Sequence, residues 1–502
     1  MSSEETGGTR PRSRSGDLIR MLRRALVFAA GDVVVRGPEL VLLPLYAAFL
    51  SPSDFGRISI ATTVTVILRP TLSLGLQAAA LKFYFDVEGE DRRRFYGLLL
   101  AAYVAGTGLL YLLLDAAGPW LFGAVFASVE YEPLIRMAVW TAYLGAAFLE
   151  LPRQILKASG KAGAYSALNV GLYLVITALT VIEVVVQHGG AIGAVRASLT
   201  GTAAVSLGCF VWLLRYVSLP KRADLALMAK ALAFSVPMVP HFLSQWVLSS
   251  ADRVILENVA PMSEVGLYTA GYTIGWSLSL LRVGMAHAMI PMYGNLDRRD
   301  TAGRERIAKL LTYYFGGIFA GAMVLTVFSA EILALVTPET YGGSADIIPW
   351  VVLGAVFFSV YNPSVQVLNF VVGRTRIIGL ATVLSATTNI GLNLIFIPRY
   401  GMMGAALTTA ATYFMLACGV FAIAQRACAL PYEYVRIAKV AVACLIPTLI
   451  LAIAVDPVAG PTGIVLKAGI ICLSPPILIG LGFLDQGEKA AVVRRLKRVP
   501  WA

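Results

Sequence analysis

The sequence predicts an all-α polytopic membrane protein with 14 transmembrane helices. Hydrophobic residues make up 58% of the 502 residues and charged residues only 14%, against about 25% charged in soluble domains. The mean hydropathy is +0.75. Apolar runs long enough to cross a bilayer, which needs about 20 residues, recur along the whole chain. In order they are TM1–TM14, at 25–49, 58–81, 96–115, 134–152, 163–186, 192–214, 231–251, 265–292, 310–330, 347–371, 377–397, 403–425, 438–455 and 463–484.

Basic residues alternate from loop to loop. Counting from the N-terminus, every second loop is basic, and these loops with the two termini hold 32 of the 41 lysines and arginines. Basic loops remain in the cytoplasm, so the pattern places both termini there. The surplus charge of +12 is then explained by topology and by contact with anionic lipid, and not by nucleic-acid binding.

The chain also contains an internal repeat. Three stretches recur at an offset of 209–213 residues: 51–56 at 261–266, 160–161 at 373–374, and 190–194 at 401–405. A duplicated six-helix unit predicts two parallel lobes, TM1–6 and TM7–12, around a central cavity, with TM13–14 added. The predicted domains are a disordered cytoplasmic N-terminus (1–18), an N-lobe (19–217), a C-lobe (218–430), TM13–14 (431–485) and a basic cytoplasmic tail (486–502).

TM1 carries three charged residues inside an apolar run. Asp32, Arg36 and Glu39 share one helical face, within an arc of about 60°. Each charge at the membrane centre costs about 2.5–3.5 kcal/mol, so these side chains should face a partner or water. Gly37 and Pro38 predict a hinge beside them. The alternative is an Asp32–Arg36 ion pair that serves only to let the helix insert.

Arginines elsewhere in the membrane predict an anion site. Arg36, Arg69, Arg196 and Arg282 lie on TM1, TM2, TM6 and TM8, and Arg69 and Arg282 occupy equivalent places in the two halves. The guanidinium is permanently charged and its planar donors suit phosphate oxygens, which favours a phosphate or pyrophosphate headgroup. The alternative is an interfacial or structurally paired arginine, above all for Arg196 near its helix end. The other cations outside the basic loops map near helix ends and are expected to snorkel: Arg57, Arg136, Arg253, Arg399 and Lys467.

Other polar residues extend this candidate cavity. His241 and Gln245 are the TM7 counterparts of Asp32 and Arg36, and Pro237 and Pro240 predict a second hinge before them. Asp32, Glu39 and His241 are candidates for H⁺ or Na⁺ coupling, although a lone histidine is usually structural. Amides and phenols hydrogen-bond sugar hydroxyls but also join membrane helices to each other. The candidates of this kind are Tyr361, Asn362, Gln366, Asn369, Asn389 and Asn393.

Several motifs resemble the polysaccharide-export branch of the MOP flippase superfamily. The central signature is matched by 251–256 (ADRVIL), 265–272 (VGLYTAGY) and 290–291 (IP), the entry to the twelfth helix by 393–398, Gly401 and 404–406, and the first loop by 50–52 and 55–56. The resemblance implies a Wzx-type flippase of the bacterial inner membrane that moves an undecaprenyl-diphosphate-linked oligosaccharide by alternating access. Lipid II flippases of the same superfamily line their cavity with arginines on the corresponding first and eighth helices, which agrees with Arg36 and Arg282.

Two other classes compete with this interpretation. A cation-coupled drug extruder of the related multidrug class usually has twelve helices and an acidic lobe, and the intramembrane arginines argue against it. A membrane glycan polymerase needs a large outer loop with catalytic residues, whereas the longest outer loop, 116–133, is short. We therefore expect a monomeric transporter and not an enzyme, without cofactor or metal. Synthases and polymerases are candidate partners, and an ion gradient or product removal would set direction because no Walker motif is present.

Overall fold

The regular secondary structure is entirely helical in the part of the chain that the structure describes. This computed structural model describes residues 38–219, 225–294, 296, 300–454 and 461–483. The predicted disordered N-terminus, Asp32, Arg36, Gly37 and the basic tail lie outside these residues. The helices are α1 Pro38–Phe49, α2 Pro52–Leu72, α3 Leu76–Phe83, α4 Gly89–Gly123, α5 Tyr131–Ala158, α6 Ala162–Val186, α7 Gly190–Tyr216, α8 Leu225–Glu257, α9 Met262–Trp276, α10 Leu278–Gly294, α11 Thr301–Val327, α12 Ser329–Val336, α13 Glu339–Val372, α14 Thr375–Ala427, α15 Tyr434–Ala454, α16 Pro461–Ile471 and α17 Ser474–Gly480.

The chain is a multi-pass membrane protein. Within the described residues, ten helices are long and apolar enough to cross a membrane, or eleven when α2 and α3 count as one bent span. At 53 residues, α14 would be roughly 80 Å long, far more than a hydrocarbon core of about 30 Å. It is divided at Gly401, whose φ of 53° and ψ of −136° are not helical. This division corresponds to the boundary between TM11 and TM12.

The predicted single span at 58–81 is wrong in one respect, because the structure bends it by 55° between α2 and α3. Leu74 and Gly75 at the bend both have positive φ. A Cβ on Gly75 would lie 2.7 Å from the carbonyl oxygen of Ser235 in α8, so the bend needs glycine for both its backbone angle and its close packing.

Two further interruptions divide predicted spans of the C-lobe. TM8 forms two helices, α9 and α10, which meet at Ser277. In α8, a 3₁₀ turn at Val236–Met238 separates two α-helical segments. This turn contains Pro237, and Pro240 follows in the next turn. The 3₁₀ turn thus lies where the sequence predicts a hinge.

Helix α2 of the predicted N-lobe packs against α9 of the predicted C-lobe at one end of the molecule, which we call the Gly56 end. A Cβ on Gly266 would lie 1.8 Å from the carbonyl oxygen of Pro52, and one on Gly56 would lie 2.4 Å from that of Met262. One turn further along, the Thr269 hydroxyl donates to the Ser59 hydroxyl at 2.8 Å. Gly266 and Thr269 each follow their α2 counterparts by 210 residues, so the helices cross at equivalent points of the repeat.

Buried polar contacts reinforce the Gly56 end. The carboxylate of Glu257, which is 2% exposed, accepts from the backbone nitrogens of Ala127 at 3.1 Å and Ser128 at 2.6 Å. Both belong to the loop between α4 and α5. The Tyr341 hydroxyl donates to the carbonyl oxygen of Leu50 at 3.1 Å. Ala127 and Ser128 are themselves exposed, so these bonds satisfy the buried carboxylate of Glu257. Side chains of the C-lobe thereby bond to backbone groups of the N-lobe.

The lobes also touch at the opposite end, which we call the Lys82 end. Helix α3 packs against the first segment of α8, where Ala231 is fully buried in a cluster with Ala79 and Phe83. The Lys82 ammonium lies 4.1 Å from the centre of the Phe234 ring. The bent pair α2–α3 is thus held against the C-lobe at both of its ends.

We predict that Gly266→Ala destabilises the protein. The new Cβ would overlap the carbonyl oxygen of Pro52 and force α9 away from α2, and overpacking of this kind typically costs about 1–3 kcal/mol. Thermal unfolding in detergent measures the effect. The control is Gly106→Ala in α4, where a Cβ meets no atom within 4 Å. Equal stability of the two variants would contradict the close packing of α2 and α9.

Candidate functional site

Arg69, in the last turn of α2, lies against the backbone of α5. A Cβ on Gly145 would come within 2.6 Å of the arginine Nε and 2.7 Å of its Cζ. Nε is hidden from solvent and has no hydrogen-bond partner among the described residues. Gly145 begins a π-helical turn, Gly145–Leu149, a distortion that is frequent at functional sites. The lack of a side chain at Gly145 leaves room for the guanidinium against the backbone of α5.

A group of charged and amide side chains follows directly on α5. The Glu150 carboxylate accepts from Gln154 Nε2 at 2.6 Å and lies 3.9 Å from Arg153 Nη1. Arg153 Nε in turn donates to Asn169 Oδ1 of α6 at 3.0 Å. Arg69 interacts electrostatically with both Glu150 and Arg153. Among the described residues, two arginines thus face one carboxylate in this part of the N-lobe.

Arg282 of α10 occupies the corresponding place in the C-lobe. Its side chain is buried, and its Cζ lies 4.7 Å from the centre of the Phe358 ring of α13. Phe358 follows Gly145 by 213 residues, the same spacing that separates Arg282 from Arg69. In both lobes, therefore, an arginine of the second span contacts the fourth span. A cation over an aromatic face is stabilised by the ring quadrupole, which partly offsets the loss of water.

A row of aromatic rings connects Arg282 to a second buried arginine. Arg253 lies over Tyr272 at 4.5 Å, Tyr272 stacks on Trp276 at 5.3 Å, and Trp276 lies 5.7 Å from Phe358. The row thus runs from Arg253 through three rings to Arg282. Its rigid side chains fix the position of Arg282 within the C-lobe core.

The expectation that Arg253 snorkels is wrong. Its side chain is 8% exposed, and its Nη1 lies 3.5 Å from Asp252 Oδ1. Asp252 also accepts a hydrogen bond from the Tyr268 hydroxyl. Lys467 is likewise paired, at 2.5 Å from Glu331 Oε1. The carboxylate beside Arg253 is its own neighbour on α8, whereas that of Lys467 comes from α12, and both cations are neutralised by these carboxylates in place of water.

Arg196 lies apart from the other candidate arginines. It is 45% exposed, and its Nε donates to Glu183 Oε2 of α6 at 3.0 Å. The Arg196 Nη2 pairs with the same oxygen. The structure therefore corresponds to the alternative in which this arginine is structurally paired.

The coupling-ion candidates are only partly described. His241 Nδ1 lies 3.1 Å from Thr382 Oγ1 of α14, and the half-buried Gln245 follows one turn later. Pro38 is the first residue of α1, and of Glu39 only the backbone is described. Asp32 and Arg36 lie outside the described residues, so their role stays a prediction.

Asn389 and Asn393 join the two halves of α14. Asn389 Nδ2 donates to Thr412 Oγ1 at 3.2 Å, and Asn393 Nδ2 donates to Asn389 Oδ1 at 2.9 Å. The Thr408 hydroxyl completes the chain by donating to Asn393 Oδ1. Both asparagines are buried. These contacts agree with the interpretation of the two amides as links between membrane helices.

Two other amides converge on a small pocket of the C-lobe. Asn362 and Gln366 line it together with Tyr293 and Tyr314, and Tyr314 interacts electrostatically with Arg282. Tyr361 is buried and stacks on Phe358 with centroids 5.5 Å apart, whereas Asn369 is exposed. Of the six polar candidates, Asn362 and Gln366 are thus the two that line a cavity near a candidate arginine.

Sequence reasoning missed two parts of this arrangement. The sequence does not predict that Glu150, Arg153 and Asn169 contact one another, because they fall in three different predicted segments: the end of TM4, a basic loop and TM5. The aromatic row lies inside the quoted motif 265–272 and its continuation, but its geometry depends on α13. The four-residue spacing of Tyr272 and Trp276 could have predicted part of the row, since residues spaced in this way stack on one helical face.

Comparison with known proteins identifies the family of the chain. A family model described as "Polysaccharide biosynthesis protein" matches residues 21–296, more than half of the sequence. A curated protein of the lsg locus of Haemophilus influenzae is 18% identical over 415 residues, which cover 79% of this chain and 98% of the relative.

Solved structures share the fold. A lipid II flippase, MurJ, in an inward closed conformation aligns with a TM-score of 0.75 at 15% identity, covering 91% of this chain and 98% of that one. An inward-facing multidrug resistance MATE transporter of the MOP superfamily aligns with a TM-score of 0.61 at 17% identity, covering 83% and 98%. Both of these structures are of transporters or flippases and neither is of an enzyme.

We predict that Asn393→Ala lowers thermal stability, because it leaves the amide of Asn389 and the Thr408 hydroxyl without their shared partner. Hydrogen bonds between membrane helices are worth about 0.6 kcal/mol on average and up to about 1.7, so the decrease should be measurable in detergent. The exposed Asn369→Ala is the matched control and should have little effect. A stable Asn393→Ala variant would show that the amides do not hold α14 together.

Proposed function

The chain belongs to the polysaccharide biosynthesis protein family of the MOP flippase superfamily, and we propose that it is a flippase for an undecaprenyl-(pyro)phosphate-linked oligosaccharide. It would carry this lipid across the bacterial plasma membrane by alternating access, for the assembly of exopolysaccharide, O-antigen or capsule. The observation that carries the proposal is the pair Arg69 and Arg282. Arg282 is buried and Arg69 is partly buried, and the two lie at equivalent positions of two lobes that touch at both ends of α2–α3.

The proposed arrangement has fourteen membrane helices with both termini in the cytoplasm. Residues 19–217 form the N-lobe and residues 218–430 the C-lobe, followed by TM13–14. The Lys82 end faces the cytoplasm and the Gly56 end faces outward. The distribution of lysine and arginine supports this orientation, because the loops nearest Lys82 and Lys230 are basic.

The headgroup would bind between the lobes at Arg36, Arg69 and Arg282. Each guanidinium offers parallel donors to phosphate oxygens, and charge-assisted hydrogen bonds of this type are about twice as strong as neutral ones. Asn362 and Gln366, next to Arg282, would hydrogen-bond sugar hydroxyls. Arg196 is left out of the proposed headgroup site, because Glu183 already engages its donors.

The transport cycle follows from the two contacts of α2–α3 with the C-lobe. Parting α3 from α8 would admit the headgroup from the cytoplasm, and parting α2 from α9 would release it outward. An anion bound to Arg69 and Arg282 would attract both guanidinium groups, one from each lobe, which favours closure of both ends around the substrate. Asp32, Glu39 and His241 remain candidates for the coupling ion.

The second candidate is a cation-coupled extruder like the MATE transporters. The shared fold supports it. The buried arginines disfavour it, because Arg69 and Arg282 would repel a cationic substrate. The two candidates predict different molecules in the membrane when the protein is missing, so one experiment separates them.

We predict that deletion of the gene causes one undecaprenyl-linked oligosaccharide to accumulate in the inner membrane, as detected by lipid extraction and mass spectrometry. Re-expression of the intact protein should clear it, whereas Arg282→Ala and Arg36→Ala should not, although both reach the membrane at normal levels. Lysine at either position should restore part of the activity if charge alone matters.

The matched control for this experiment is Arg196→Ala, which removes an arginine outside the proposed headgroup site and should clear the lipid. Full activity of Arg282→Ala and Arg36→Ala would contradict the headgroup site. No accumulation on deletion, with new sensitivity to cationic dyes, would instead support the extruder.

A further inference from the structure

An apolar groove opens on the surface of the N-lobe, near Arg153 but lined by none of the arginines of the proposed headgroup site. It has a volume of about 400 Å³ and lies between α5, α6 and α7. One face of α7 forms its floor, with Val205, Gly208, Cys209 and Trp212 at helical spacing. Leu156 of α5 and Leu168 of α6 are among the residues of its walls.

The groove opens toward lipid. Gly208 and Trp212 of its floor are themselves exposed, Trp212 by 38%. Only 22% of the most apolar window of α6 is buried within the protein. Exposed apolar surface of this kind is covered by acyl chains in a membrane, so a chain is the natural occupant of this groove.

Exposed cations surround one end of the groove. Lys157 ends α5, Lys161 precedes α6 and Arg215 lies in the last turn of α7. Trp212 stacks on Tyr216 at 5.2 Å in the same region, as aromatic residues do at the membrane interface. The nearest carboxylate on α5, Glu150, already contacts Arg153 and Gln154.

From this arrangement we infer that the groove binds an anionic phospholipid of the bilayer. One acyl chain occupies the groove and the phosphate lies among Lys157, Lys161 and Arg215. The phospholipid is favoured over a polyprenyl substrate because the groove lies on the lipid-facing side of the lobe. Arg153, which interacts electrostatically with both Arg69 and Cys209 of the groove, separates the groove from the proposed headgroup site.

The binding site can be filled without disturbing the backbone. A Cβ on Gly208 meets no atom within 4 Å, so Gly208→Trp places an indole in the groove. Gly419→Trp is the matched control, since Gly419 follows Gly208 by 211 residues, is exposed and is equally open. The purified full-length protein is titrated with phosphatidylglycerol or phosphatidylcholine in detergent, and bound lipids are counted by native mass spectrometry.

The intact protein should retain one phosphatidylglycerol in preference to phosphatidylcholine. Gly208→Trp should lower this affinity about tenfold or more, because exclusion of even two chain methylenes has an effect of this size. Gly419→Trp should leave it unchanged. The double variant Lys157→Gln/Lys161→Gln should lower the preference for the anionic lipid about fivefold for each charge removed. Each cation near the membrane surface contributes about 1 kcal/mol, which corresponds to this factor.

Three results would overturn the inference. The first is equal binding of the two phospholipids by the intact protein. The second is a failure of the variants to act as expected. Gly208→Trp and Gly419→Trp would then lose the same affinity for phosphatidylglycerol, or neither Gly208→Trp nor Lys157→Gln/Lys161→Gln would lose any. The third is displacement of the phosphatidylglycerol by undecaprenyl phosphate at low concentration, which would assign the groove to a polyprenyl chain. None of these results bears on the export activity, because the headgroup site lies elsewhere.

Discussion

The close approach of Gly56 to Gly266 determines how the two lobes meet. Apolar burial cannot drive association between helices in a membrane, so packing of small residues and hydrogen bonds must do so. The glycine contact and the Ser59–Thr269 hydrogen bond supply both at one crossing. Because α2 continues from this crossing to Arg69, any movement of the crossing also moves the buried arginine. One helix, α2, therefore carries both the contact between the lobes and an arginine of the candidate site.

The buried arginines are the second constraint. The N-lobe accommodates Arg69 against the backbone at Gly145, and the C-lobe accommodates Arg282 against the ring of Phe358. Glu150 of α5 interacts electrostatically with Arg69, and Asp252 lies beside Arg253. A charge retained in the membrane at such cost indicates a function. In the proposed function, an anionic headgroup that enters between the lobes would bind the guanidinium groups of Arg69 and Arg282.

Sequence predicted the features that depend on composition and repetition. Apolar length marked the helices, and the repeat marked Arg69 and Arg282 as equivalent. The bend at Gly75 was not predicted, because only three residues separate α2 from α3 and they lie within one apolar run. The burial of Arg253 was not predicted because its partner ring, Tyr272, is brought over it only when α9 packs against α8. The sequence leaves open whether Asn393 binds sugar hydroxyls or joins membrane helices. Its partner Thr408 comes near only because α14 folds back at Gly401.

The central claim is that α2 and α9 must separate for transport. The Ser59 and Thr269 oxygens are 2.8 Å apart, close enough for a disulfide in the double variant Ser59→Cys/Thr269→Cys. The measurement is how far this double variant clears the accumulated undecaprenyl-linked oligosaccharide, once with its disulfide oxidised and once with it reduced. The account predicts no clearance in the oxidised protein and recovery on reduction, with each single variant active throughout. Full clearance by fully cross-linked protein would contradict it.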